Sequence, residues 1–336
     1  MVFLPGIASP SLGHQTAHSI ESRLKAAASH GFKLIELVED DLAFYAKDKL
    51  GGAMDSSSSM IQAAHEIKGI CDKLGIRPIV LQPFWFYDGL TDRKQHEAAI
   101  EKLRLWMKLV KVLNVQIVQL PSNWLLEGTT GDLDSIVADL IEMAEIGLEQ
   151  DPVVSFAYEA VAWGTHVATW QGSWELVKRV NKPNFGLCLD TYHIVARDWG
   201  DPTVPGCKRP DGDENFQRSM KELVEHIDIR KVFYVQVSDA ELLSKPLVQG
   251  HPYFNEQQLP RMAWSRNARL FPWEEDQNGC LPIELLVDTI FKDLKYTGYV
   301  TVESFSRHLL DKNPGVPNVF AARAMKSWAA LMKRIE

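Results

Sequence analysis

The chain has 336 residues, of which 46% are hydrophobic and 24% charged, and its formal net charge is −8. That is enough chain to bury one large core or two modest ones without disulfide staples. The acidic balance argues against nucleic acid or an anionic membrane as a partner, because both call for a basic surface.

In chain order, eight short apolar runs alternate with stretches of helical period. The runs are VFLPGIAS (2–9), KLIELVE (33–39), RPIVLQP (77–83), VQIVQLP (115–121), VVSFAYEA (153–160), NFGLCLD (184–190), KVFYVQVSD (231–239) and YVTVESF (299–305). Helices are predicted near 18–30, 58–74, 91–113, 132–149, 173–181, 214–228, 282–296 and 317–334. Gly31, Gly75 and Gly298 stand where helices should stop, and Pro282 where one should start. The short DSSSS stretch (55–59) reads as a helix-entry loop.

The apolar runs are continuous rather than alternating, as in parallel strands covered on both faces. Eight βα units in one chain predict an α/β protein, a (β/α)8 TIM barrel forming a single domain over 1–336. A doubly wound open sheet would want a glycine-rich phosphate loop after an early strand, and SPSLGHQ is not one. Long insertions follow strand six (RDWGDPTVPGCKRPDGDEN) and strand seven (LSKPLVQGHPYFNEQQLPRMAWSRNARLFPWEEDQNG). A barrel keeps its active-site loops at those strand ends.

Cys71, Cys188, Cys207 and Cys280 form no CxxC pair. They suggest neither a disulfide framework nor a zinc knuckle, and they suit a reducing compartment. The N-terminal stretch lacks a basic region followed by a long apolar run, and no window has the apolar length of a membrane span. A cytoplasmic protein is the expectation.

The chemistry is concentrated at the ends of four consecutive strands. Strand five delivers Glu159, strand six Asp190, strand seven Gln236 and strand eight Glu303. Any one alone has a plainer explanation: Asp190 as a helix cap, Glu303 as a partner for Arg307, Gln236 as a partner for buried backbone. Four together, converging at one end of a barrel, point to a metal. Three carboxylates packed together repel one another, and a divalent cation relieves that repulsion. The hard oxygen set suits Mg²⁺ or Mn²⁺ first, with Co²⁺ or Zn²⁺ as further occupants.

The motifs SPSLGH, GFKLIELVEDDL, LQPFWFYDGL, QLPSN, YEAVAWGTHV, PNFGLCLDTYHI, FYVQVSDAE, WSRNARLFPWE and GYVTVESFSR span essentially the whole chain. In these the sequence resembles the xylose-isomerase-like (sugar phosphate isomerase/epimerase) TIM barrels. Within them it is most similar to the fungal 3-dehydroshikimate dehydratases of quinate catabolism. The resemblance implies a metal held by Glu159, Asp190, Gln236 and Glu303, and conversion of 3-dehydroshikimate to protocatechuate and water. The implied substrate is a small anionic cyclic hydroxy-ketone.

For that reaction His193 is the expected general base, since imidazole titrates near neutrality, and it should sit on a loop above the metal. His166 is its rival or its partner acid. Arg269 and Arg266, in SRNAR, are expected to grip the substrate carboxylate, Arg269 ahead of Arg266. Trp85 belongs to a cluster with Phe84, Phe86 and Tyr87 that can wall a flat ring, though at least two of the four should be ordinary packing. Glu36 is a candidate partner for a substrate hydroxyl, and His251 for the lid.

A sugar isomerase or epimerase using Glu159 and Glu303 as proton carriers is the alternative. A DNA endonuclease on this barrel would want histidines in strands two to four, and there are none. A non-catalytic barrel would not need the intact ligand set. The long strand-end loops allow a homo-oligomer.

Overall fold

A computed structural model describes residues 3–54 and 56–336. The eight runs form parallel strands: β1 (Gly6–Ala8), β2 (Leu34–Val38), β3 (Arg77–Gln82), β4 (Ile117–Pro121), β5 (Ser155–Glu159), β6 (Phe185–Asp190), β7 (Val232–Val237) and β8 (Tyr299–Val302). They close into a barrel in which β1 pairs with both β2 and β8. Of the first predicted run, residue 2 lies outside the described residues.

The helices are α1 (Ile20–Ser29), α2 (Glu39–Leu50), α3 (Ser57–Leu74), α4 (Arg93–Leu113), α5 (Leu133–Leu148), α6 (Trp170–Val180), α7 (Thr191–Asp198), α8 (Gly212–His226), α9 (Pro260–Ala268), α10 (Ile283–Asp288) and α11 (Val316–Ile335). Their apolar stripes pack on the outside of the barrel and make the main core. Gly75 ends α3 at φ +66, in the left-handed conformation that Gly adopts without steric cost. Gly298 does not play that part. The left-handed residue after the last short helix is Lys295, at φ +55. Within DSSSS, Ser56 is the extended residue before α3, and Asp55 lies outside the described residues.

The barrel interior is layered, and the layering places the site. Leu34, Val80, Ile117, Ala157, Cys188 and Tyr234 fill the lower layer, with Tyr299 packed against them. Side chains two apart on a strand share a face. One step up from these residues stand Glu36, Gln82, Gln119, Glu159, Asp190, Gln236 and Thr301, with Glu303 a further step along β8. An apolar floor therefore carries a polar layer, all of it buried.

The insertion after β6 opens with α7, where the sequence predicts a loop. The Asp190 carboxylate accepts hydrogen bonds from the backbone N–H groups of Tyr192 (2.7 Å) and His193 (3.3 Å) and so caps the helix. The insertion after β7 contains α9 and a two-residue antiparallel pairing, Asp239–Ala240 with Leu270–Arg269. The backbone N–H of Arg269 also donates to the Phe305 carbonyl at 2.9 Å. Arg269 is thereby fixed above the ends of β7 and β8.

Candidate active site

A cavity of about 490 Å³ opens at the C-terminal ends of the strands, and Gln82, Gln119, Glu159, His193, Arg269 and Glu303 are among its lining residues. Glu159, Asp190 and His193 each bring one donor atom within 4.8 Å of the others, a grouping that can hold a metal ion. Glu303 joins them through Arg269, whose Nη2 lies 2.9 Å from its carboxylate and also pairs with Asp190. All four side chains are almost fully buried.

Four buried carboxyls, Glu36, Glu159, Asp190 and Glu303, face one buried guanidinium. The surplus shows in their acidities. Burial, and then the neighbouring carboxylates, push Glu36 and Glu159 up from the usual carboxylate range. Burial also pushes Glu303 up, and Arg269 only partly offsets it. Asp190 meets the same burial penalty. The Arg269 charge, with hydrogen bonds from its guanidinium and from the His193 backbone N–H, outweighs it and holds Asp190 low. A site with more buried negative charge than its own cation neutralises fits a divalent metal. Among the described residues the Gln119 carbonyl oxygen has no hydrogen-bond partner, which adds one more hard donor beside Glu159.

Gln236 is turned differently from the expectation. Its Nε2 donates to Glu36 (3.0 Å) and Glu303 (3.1 Å), and its Oε1 faces the Cys188 thiol at 3.4 Å. It bridges carboxylates with its nitrogen, and it is not among the residues lining the cavity. Glu36 does not line the cavity. It is fully buried and bonded to Gln82 (2.8 Å), Gln236 and Thr301. Its position in the middle of β2 puts it below the mouth.

His193 lies in the first turn of α7, not on a loop. The Ala162 backbone N–H donates to its Nδ1 at 3.0 Å. A backbone amide can only donate, so the proton of the neutral ring is on Nε2. That Nε2 faces Glu159 and Asp190, 3.9 Å from each. Burial pushes the imidazole down to about 3, against the pull of Asp190, so the ring is neutral near pH 7. As it stands, His193 offers the cavity an N–H and no lone pair, which conflicts with its expected role as base.

His166 is not in the cavity lining. It is exposed, and its Nε2 lies 3.1 Å from Thr129 Oγ1. The two arginines differ in their partners. Arg269 is occupied by Asp190 and Glu303, with Ser238 Oγ 3.0 Å from its Nε. Arg266 lines the cavity and has no acidic partner among the described residues. Trp85 lines the wall, half exposed, edge-on to Trp124 at 4.8 Å. Phe84 and Tyr87 are core residues. His251 stands outside the lining, edge-on to Tyr253.

Sequence reasoning passed over Gln82, Gln119, His14 and Trp163. The two glutamines had a usable signal: LQP and VQLP put an amide two residues above an apolar floor position in adjacent strands. Trp163 packs edge-on to His193 at 4.8 Å and had no local signal.

The comparisons with known proteins agree with this geometry. The family model described as Xylose isomerase-like TIM barrel matches residues 24–330. A Neurospora crassa protein named 3-dehydroshikimate dehydratase is 42% identical over 334 residues, 97% of this chain and 93% of that protein. A Pseudomonas aeruginosa protein of the same name is 28% identical over 76% of this chain, which spans only 32% of it. Among solved structures, a fusion protein of a xylose isomerase-like TIM barrel with 4-hydroxyphenylpyruvate dioxygenase superposes with TM-score 0.75 at 24% identity. It is covered over 44% of its length and matches 100% of this chain. The IolI protein with a bound zinc atom superposes with TM-score 0.72 at 18% identity, over 99% of each chain. By the model match along most of its length and the near full-length relative, the chain belongs to the xylose isomerase-like TIM-barrel family.

Proposed function

We propose that this chain is a metal-dependent 3-dehydroshikimate dehydratase, converting that acid to protocatechuate and water. The observation that carries the reading is the 42% identity to the Neurospora protein over 97% of the chain. The carboxylate-rich mouth supports it. Glu159, Asp190 and Glu303 are the residues that would hold the metal, with Gln236 joining them if its amide turns. Mg²⁺ or Mn²⁺ suits these oxygens first. When bound, the metal supplies Lewis-acid polarisation of the substrate ketone.

The chain's own residues do the rest. Loss of water from a β-hydroxy ketone needs a base for the proton beside the ketone and a donor for the departing hydroxyl. His193 donates a hydrogen bond from Nε2–H to the ketone oxygen, where negative charge develops as the neighbouring proton leaves. The proton beside the ketone passes to a carboxylate at the cavity floor, Glu159 or Glu303, and the same carboxylate hands it to the departing hydroxyl, which leaves as water. Arg266 anchors the substrate carboxylate, because its guanidinium has no acidic partner to displace. Arg269 is a positioning residue that holds Asp190 and Glu303 beside each other through one Nη2. Trp85 and Trp163 wall the ring and exclude water. The dienone that forms tautomerises to an aromatic catechol, which makes the step irreversible in practice.

The test is turnover of 3-dehydroshikimate, with protocatechuate measured by chromatography, against a panel of keto sugars. Protocatechuate from the wild type, and none from Glu303→Gln, supports the dehydratase. Turnover of a keto sugar alone transfers the assignment to a sugar isomerase or epimerase, in which Glu159 and Glu303 carry the protons.

A further inference from the structure

Nothing in the reaction above uses His14, although it lines the same cavity as His193. It follows β1, and in the closed barrel β1 lies across from β5, next to β8. His14 therefore approaches from the wall opposite Glu159 and His193.

The ring is held in one state. The Thr16 backbone N–H donates to Nδ1 at 3.3 Å, and Thr16 Oγ1 lies 2.7 Å from the same nitrogen. A backbone amide can only donate, so the neutral ring carries its proton on Nε2. Among the described residues Nε2 has no hydrogen-bond partner. Burial first, then the Arg23 charge, push this imidazole below its usual range against Asp40, which favours the neutral form.

The backbone is fixed as well. His14 N–H donates to the Leu309 carbonyl at 2.9 Å, and its own carbonyl accepts from Ala17 and His18 at 2.9 Å each. Gly13 before it sits at φ +134, where a Cβ would lie 2.6 Å from the His18 ring. The turn thus presents a preset N–H donor at the mouth. Gln15, beside it, is already bonded to Asp40 at 2.7 Å.

We propose that His14 is a second substrate-contacting imidazole, which donates Nε2–H to a ring hydroxyl on the side away from His193. The proposal rests on the dehydratase reading and completes it. The floor carboxylates and His193 take the ketone end of the substrate, Arg266 takes its carboxylate, and the ring hydroxyls are the polar groups left.

The experiment compares wild type, His14→Leu and His14→Gln in two assays: turnover of 3-dehydroshikimate, and binding of protocatechuate to metal-depleted protein by quenching of tryptophan fluorescence. Leu removes the donor, and Gln restores an N–H close to the position of Nε2. The expected result is a loss of about tenfold or more in kcat/KM and weaker protocatechuate binding in His14→Leu. His14→Gln should recover most of both, with all three melting temperatures alike. An active wild type with His14→Leu equal to it in both assays overturns the His14 proposal alone. So does a His14→Gln as impaired as His14→Leu. A wild type that neither turns over substrate nor binds product overturns the dehydratase reading and takes this proposal with it.

Discussion

At the level of single residues, the buried carboxylate cluster at the barrel mouth is partly balanced by the Arg269 guanidinium. Arg269 holds Asp190 and Glu303 through a single Nη2, and both carboxylates are buried. Removing one partner of a buried pair leaves the other charge uncompensated, at a typical cost of about 3–5 kcal/mol. Arg269→Met is therefore expected to lower the unfolding free energy of metal-free protein, measured by urea titration, by an amount in that range, and saturating Mn²⁺ should recover part of it. Equal destabilisation with and without Mn²⁺ would count against a cation sharing this charge cluster. Arg269 was legible from the sequence as a mouth residue but not as the partner of two carboxylates. The two-residue pairing that aims it spans the insertion from Asp239 to Leu270, and nothing local announces such a contact. The reverse holds for Glu36. Its strand was clear, but whether a mid-strand acid reaches the mouth depends on its height in the barrel, which periodicity does not report.

Among the elements, those with strong periodicity matched their expectation; α2, directly after β2, and the helices α7 and α9 were not predicted. The eight strands and helices such as α4 and α5 carry sustained apolar patterns. The eight-residue α7 has too short a pattern, and its start is set by the Asp190 side chain, for which a cap stands in the sequence only as the alternative to a metal ligand. The placement of Asp190 depends on how closely β6 approaches β7. A Cβ on Gly186, in β6, would lie 2.4 Å from the Lys231 carbonyl oxygen and 2.8 Å from the Phe233 ring. Overpacking of this kind typically costs about 1–3 kcal/mol. Gly186→Ala is expected to lower the melting temperature and also kcat, because the shift is passed along β6 to Asp190. A variant with lowered stability but wild-type kcat would show that β6 absorbs the strain before reaching the site.

For the whole molecule, the buried acids tie stability to pH. Burial pushes Asp239 up to about 7 despite backbone N–H donors from Leu281, Ala240 and Cys280, and it pushes Asp88 up to about 6. Between an unfolded pKa of about 3.9 and those values the folded chain binds more protons than the unfolded one. The stability these groups contribute is complete below about pH 4 and is lost as pH rises through 6 and 7. Asp239→Asn keeps the acceptor oxygen and cannot ionise. Measured by chemical denaturation, its stability relative to wild type should improve steadily from pH 4.5 to 7.5. A difference that does not change with pH would remove Asp239 from this account. Among the described residues no helix is long and apolar enough to cross a membrane.

The central claim is that Glu159, Asp190 and Glu303 hold a divalent cation that the dehydration needs. The most direct measurement is a chelated enzyme mixed with 3-dehydroshikimate, followed by the ultraviolet absorbance of the catechol, while Mg²⁺, Mn²⁺ or Co²⁺ is titrated back. The account predicts no product in chelator and a rise that saturates near one metal per chain, with no rise in Glu159→Gln. Full activity in the thoroughly chelated enzyme, unchanged by any added metal, would contradict it.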